Sequence, residues 1–207
     1  MTRSAFTIDV MTHSVVPYDL RMGRWAPDTR ERLREAAMQL FAERGFDATT
    51  VPDIVERAGV TRRTFFRHFG DKREVFFGDD EIPRLAAEML AAAPADSSPF
   101  EIAWAGFQSL ATDRFEPRRD EIAAARRLIE AEPALRERDL QKQADLRAVL
   151  VEGYRARGVE PLHARVVAGV AVELLQTALE QWAADAMRAP LRDHLERVRR
   201  EMAAVLG

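Results

Sequence analysis

The sequence predicts an all-α protein of about nine helices, and three observations carry that expectation. Long stretches rich in Ala, Leu, Arg and Glu, residues that lose little on entering a helix, are separated by Pro or Gly. Apolar residues recur at helical spacing within those stretches. No alternating apolar and polar run is bounded by turn residues at both ends, so strands are not expected.

Each element has a local start or stop signal. Residues 1–26 mix polar residues without periodicity and are expected to form a disordered tail. The first helix opens at Pro27-Asp28-Thr29-Arg30-Glu31, where Asp28 caps free amides and Glu31 reaches back. Leu33, Ala36, Ala37, Leu40 and Phe41 then share one face, and Gly45 closes the helix. Thr50-Val51-Pro52-Asp53 starts the second helix, with proline in the turn where its missing N–H costs nothing. That helix carries Ile54, Val55 and Ala58 and ends at Gly59. Thr61 opens a short third helix with Phe65 and Phe69 at i, i+4.

Asp71-Lys72-Arg73-Glu74 opens a fourth helix, which Gly78 and Pro83 break or kink. Residues 91–98 resemble a linker, and Ser98-Pro99-Phe100-Glu101 is a further helix start. Glu116-Pro117, Glu132-Pro133, Glu160-Pro161 and Ala189-Pro190 each place proline in a first turn. Helices are therefore expected near 99–114, 117–131, 133–157, 161–187 and 190–205.

The bulk numbers narrow the function classes. The chain has 207 residues, 47% apolar and 31% charged, enough for one or two soluble folding units. It has no cysteine, which excludes disulfides and cysteine chemistry and suits a cytoplasmic location. No uninterrupted apolar run reaches the roughly 20 residues of a membrane helix, and residues 1–18 lack a signal-peptide block. Net charge is −3, and residues 1–80 carry 13 cationic and 13 acidic side chains. Any nucleic-acid binding must come from a few well-placed cations. His13, His68, His163 and His194 lie far apart, with no His-Glu-x-x-His pair, phosphate loop or nucleophile elbow. An enzyme is not expected, nor a metal or other cofactor.

The second and third helices, joined at Ala58-Gly59-Val60, make a helix-turn-helix, a motif that bland helical hairpins share. The longer stretch is more specific. Phe41-Ala42-Glu43-Arg44-Gly45-Phe46, Thr49-Thr50-Val51, Ile54-Val55-Glu56-Arg57-Ala58-Gly59-Val60-Thr61 and Thr64-Phe65-Phe66-Arg67-His68-Phe69-Gly70-Asp71-Lys72 closely resemble the DNA-binding domain of the TetR family, over about residues 28–77. The resemblance implies a helix-turn-helix DNA-binding domain at 27–77 and a helical ligand-sensing and dimerisation domain at 78–207. The implied function is a repressor that an apolar or amphipathic effector releases from a palindromic operator. A DNA-binding dimer without an effector is the alternative.

The third helix begins Thr61-Arg62-Arg63-Thr64, a cluster of donors at the end that enters the major groove in this motif. Arg62 and Arg63 are candidates for pairing with guanine or, equally, for clamping phosphates. Thr50, His68 and Lys72 match family positions that contact the DNA backbone, and His68 has a competing role as a packed residue beside Phe69. Phe66 stands where the family often has tyrosine, so a phosphate contact is lost or exchanged for packing on a thymine methyl. Arg21, Arg24 and Trp25 of the tail form either a minor-groove arm or disordered chain.

Helix 161–187 carries more apolar surface than one partner covers, and Leu191, Leu195, Val198, Met202 and Leu206 follow on the last helix. The resemblance implies a homodimer through these two helices. Glu173, Gln176, Thr177 and Glu180 form a polar stripe that is either solvated or turned toward a cavity. The effector pocket is expected around Trp104, Phe107, Leu110, Phe115, Leu128, Tyr154 and Trp182, although aromatics at helical spacing are more often plain core. Arg118, Arg119, Arg126 and Arg127 resemble the segment of members that sense acyl-CoA-like ligands; Arg127 is the phosphate candidate, with a mixed, solvated surface as the plainer reading. Coupling between effector and DNA is expected at the fourth helix.

Overall fold

The computed structural model describes residues 29–77 and 81–206; the expected tail, its Arg21, Arg24 and Trp25, and the Asp28 cap lie outside them. Every regular element among the described residues is helical. The elements are α1 (Thr29–Arg44), α2 (Val51–Ala58), α3 (Arg62–His68), α4 (Lys72–Phe77), α5 (Glu81–Ala92), α6 (Pro99–Leu110), α7 (Arg119–Ala131), α8 (Pro133–Ala156), α9 (Pro161–Ala184) and α10 (Leu191–Leu206). The expected fourth helix is recorded as α4 and α5, with Gly78 outside the described residues and Pro83 in the first turn of α5. Between α6 and α7 the helical path continues through a π-helical turn (Ala111–Phe115) and a 3₁₀ turn (Glu116–Arg118).

Local chemistry sets the turns of the first four helices. Gly45 adopts φ 84°, a left-handed conformation that costs glycine little, and ends α1. The hydroxyl of buried Thr49 donates to the Gly45 carbonyl at 2.8 Å. At α2 a capping box pairs Thr50 and Asp53, and Gly59 at φ 66° closes the helix. Thr61 caps α3 by accepting from the Thr64 N–H at 3.1 Å. Leu33, Phe41, Phe46, Ile54, Phe65, Phe69, Val75 and Phe76 fill the space between these helices. Ile129 of α7 and Leu135 of α8 join this core, so the head is seated on the body by apolar contact.

The second core centres on α9, which packs against α8, α10, α6 and α7. Small residues bring the helices close: Ala164, Ala168, Ala171 and Ala178 are buried along α9. Gly153 of α8 does the same against α5, since a Cβ there would meet the Leu90 Cδ1 at 2.5 Å. By length and mean composition α9 is apolar enough to cross a membrane, which differs from the residue-by-residue expectation. Its apolar face includes the core itself, ending in the fully buried Trp182.

Candidate nucleic-acid interface and sensing cavity

Helix α3 is held from one side and open on the other. Phe65 and Phe69 anchor it in the head core, with rings 5.7 Å apart. Arg30 of α1 donates to the His68 carbonyl at 2.9 Å and lies over the Phe69 ring, a tie to the end of α3 that single-sequence periodicity does not announce. Thr61, Arg62, Arg63 and Phe66 are exposed and Thr64 is half-buried. Among the described residues Arg62 and Arg63 make no hydrogen bond or ion pair. The two threonines share a hydrogen bond at 2.9 Å, which fixes the helix start while leaving the arginines free to reach outward. Phe66 is 58% exposed, its ring set edge-on to Phe65 at 5.2 Å.

Three expected backbone contacts are modified by their surroundings. The N–H and hydroxyl of Thr50 both donate to the Asp53 carboxylate, at 2.8 and 2.6 Å, and Arg44 pairs with the same group. These bonds hold the Asp53 carboxyl below the usual range, so the first turn of α2 already carries its own anion. The Lys72 ammonium donates to the carbonyls of Phe46 and Thr49 at 2.7 and 3.1 Å and sits over the Phe46 ring. It ties α4 to the loop before α2 rather than standing free for a phosphate. His68 is half-buried, its Nε2 3.4 Å from Arg67 and its ring 6.4 Å from that of Phe69.

The expected pocket residues do not converge. Trp182 and Tyr154 are fully buried core, Phe107 and Leu110 border a void of only about 30 Å³, and Trp104 stacks on Phe100 beneath Arg199. Leu128 packs against the head core and Arg127 is exposed. Phe115 alone of the set lines the larger cavity, of about 240 Å³. Helical spacing identified apolar faces but could not say which neighbour each would meet.

That cavity lies where head and body join. Its walls include Arg34 of α1, Phe76 and Phe77 of α4, Ile82 and Pro83 of α5, and residues of α7, α8 and α9. The four arginines expected to act together are dispersed. Arg118 pairs with Glu121, which also bonds Arg34; Arg126 lines the cavity beside Gln176; Arg119 is buried and donates to the carbonyls of Trp182 and Ala189 at 2.8 and 2.7 Å. Arg119 thus satisfies the C-terminal end of α9, a cap no spacing rule would have revealed. The polar stripe also divides: Gln176 faces the cavity lining, whereas Glu173 and Thr177 border a groove of about 420 Å³ between α9 and α10. Along that side Leu162, Val166 and Val205 are left exposed.

Comparison with known proteins agrees with this architecture. Residues 33–77 match the family described as bacterial regulatory proteins, tetR family. The chain is 33% identical over 76 residues to the HTH-type transcriptional regulator AcrR of Shigella flexneri, covering 34% of this chain and 35% of that one. It is 35% identical over 83 residues to the HTH-type transcriptional regulator TcmR of Streptomyces glaucescens, covering 40% and 37%. The matched segment spans about a third of the length of these curated relatives. Among solved structures, NalD of Pseudomonas aeruginosa, the secondary repressor of the MexAB-OprM multidrug efflux pump, superposes with a TM-score of 0.52 at 21% identity. That superposition covers 85% of this chain and 94% of NalD and shows a shared fold. The head, at residues 33–77, thus matches the tetR family of bacterial regulatory proteins, and the described chain around it shares the fold of NalD.

Proposed function

We propose that the protein is a ligand-responsive transcriptional repressor that binds a palindromic DNA operator as a homodimer. The observation that carries this reading is the exposed start of α3, where Arg62 and Arg63 lack partners among the described residues beside the capped threonine pair. Unpaired guanidiniums on a rigid short helix suit guanine edges or phosphates in a major groove, with Thr61 and Thr64 beside them. Phe66 supplies an apolar contact at the same surface, and Thr50 and His68 flank it; Lys72 acts one step back, by holding the loop before α2. Arg63→Ala is expected to weaken operator binding by roughly 1–3 kcal/mol with an unchanged melting temperature, since no internal bond is lost.

Two further features support the dimer and the switch. Leu162, Val166 and Val205 expose apolar surface beside the α9–α10 groove, which a second copy would cover. Two heads one helical turn apart, about 34–36 Å, would then read the two half-sites. The cavity at the head–body junction is the sensing site in this reading, because an occupant touches α4 and α5 together with α7, α8 and α9. A regulator of this kind acts where the DNA is, in the cytoplasm. Footprinting the purified protein on the DNA upstream of its own coding region tests the reading: a symmetric protected site supports it, and uniform weak protection that vanishes at about 0.2 M salt rejects it.

A further inference from the structure

The hydrogen bonding inside the junction cavity is unequal. Arg118 gives two N–H groups to Glu121, both at 2.9 Å, and Arg34 shares that carboxylate. Half-exposed Glu31 adds a looser contact to Arg34 at 3.7 Å. Arg126 is different: its side chain is 13% exposed, yet among the described residues its one hydrogen bond goes to the neutral amide oxygen of Gln176, at 2.5 Å. Asp139 and Glu180 stand 3.6 and 3.9 Å away, outside hydrogen-bond reach, and Asp139 accepts instead from Gln143 at 2.8 Å. A guanidinium offers five N–H donors in a fork matched to a carboxylate, so most of this group's capacity is unspent.

The rest of the lining is largely apolar and includes Phe76, Phe77, Ile82, Phe115, Leu146 and Leu179. Arg34, Arg118, Arg126 and Lys142 of the wall are matched by Glu121, Asp139 and Asp145, with Glu31 and Glu180 beside Arg34 and Arg126, so the net charge favours neither sign and selection of an anion rests on the unspent donors of Arg126. At about 240 Å³ the cavity exceeds the roughly 150 Å³ that holds a benzene ring, yet is small beside most ligand pockets. That size suits a free acid better than one carried on a nucleotide.

We propose that this cavity binds a small apolar monocarboxylic acid, its carboxylate received by Arg126 and its hydrocarbon body seated among Phe77, Ile82, Phe115 and Leu179. The proposal deepens, and as a regulatory site rests on, the reading of the chain as a ligand-responsive repressor. Arg126 is the binding residue and Gln176 positions it; Arg127, exposed one residue along the same helix, takes no part.

The test measures calorimetric affinity of the full chain for 4-phenylbutyrate and for its neutral analogue 4-phenylbutan-1-ol. The acid is expected to bind at least about tenfold more tightly, the advantage of a charge-assisted pair. Arg126→Gln should bring the two within about threefold while leaving alcohol binding unchanged, Arg126→Lys should keep part of the preference, and Arg127→Gln should keep all of it. If Arg126→Gln does not fold, the Arg126→Lys and Arg127→Gln pair decides in its place. Equal affinity for acid and alcohol, binding of neither, or a preference that survives Arg126→Gln overturns the proposal, even with an intact operator footprint. Acid preference without any footprint upholds the site and removes the repressor reading.

Discussion

The head and the body of this molecule are both helical, yet they are packed on different principles. The head is filled by rings: Phe41, Phe46, Phe65, Phe69 and Phe76 are all buried, with Phe41 and Phe46 centred 5.0 Å apart. The body is built on alanine contacts along α9 and leaves a cavity of about 240 Å³ at its junction with the head. It also buries polar atoms without partners. Among the described residues these are the Tyr154 hydroxyl, Trp182 Nε1 and His194 Nδ1, against Arg32 Nε in the head. A reading element needs one fixed geometry, which dense aromatic packing supplies. A sensing element needs free volume and unspent polar capacity, and both lower its stability.

The largest expected effect tests the packing contrast directly. Phe65→Ala, at a fully buried ring, should cost about 3–5 kcal/mol in urea unfolding, whereas Phe115→Ala, on the half-buried cavity wall, should cost less than about 1 kcal/mol. Similar losses would erase the distinction. The Arg63→Ala loss of operator affinity comes next and sharpens the functional half of the comparison.

Tyr154→Phe probes the body's unsatisfied groups. Removing a buried hydroxyl without a partner should stabilise the protein by about 1–2 kcal/mol. Burial also pushes the phenol's pKa up to about 12 from its ordinary 10. A raised pKa means the folded chain resists ionisation of this group, so its contribution is intact below pH 10 and is lost as pH climbs toward 12. The phenylalanine variant should lose less stability over that window; identical alkaline profiles would count against the assignment. The smallest effect is expected at the head's surface, where Phe66→Tyr should tighten operator binding by less than about tenfold through a regained phosphate contact. No change at all would mean that the exposed ring sits away from the DNA backbone.

Most helix starts were legible because they are written within three or four residues, whereas the ends expected at 114 and 187 fall at Leu110 and Ala184. Thr50 with Asp53, Ser98 with Glu101, and the prolines at 133 and 161 behave as their spacing required. The exposed start of α3 was legible for the same reason, since Phe65 and Phe69 fix which side of a short helix faces inward. The cavity was not. Trp104, Leu128, Tyr154 and Trp182 share the composition of pocket residues, but each was claimed by a different neighbour. Arg126 and Arg127 are adjacent in sequence, and the 100° step between helix positions puts one against Gln176 and the other in solvent.

By itself, then, the sequence determined the all-α class, most helix starts and the face that α3 turns outward, since caps, prolines and periodicity act through near neighbours along the chain. Only the tertiary structure decided that Lys72 serves the loop at 46–49, that Arg119 closes the end of α9, and that one arginine of four keeps donors to spare beside an apolar cavity. Those outcomes depend on which helices meet and at what distance. Long polar side chains then take whichever carbonyl or carboxylate packing brings within about 3 Å, and no local pattern encodes that choice.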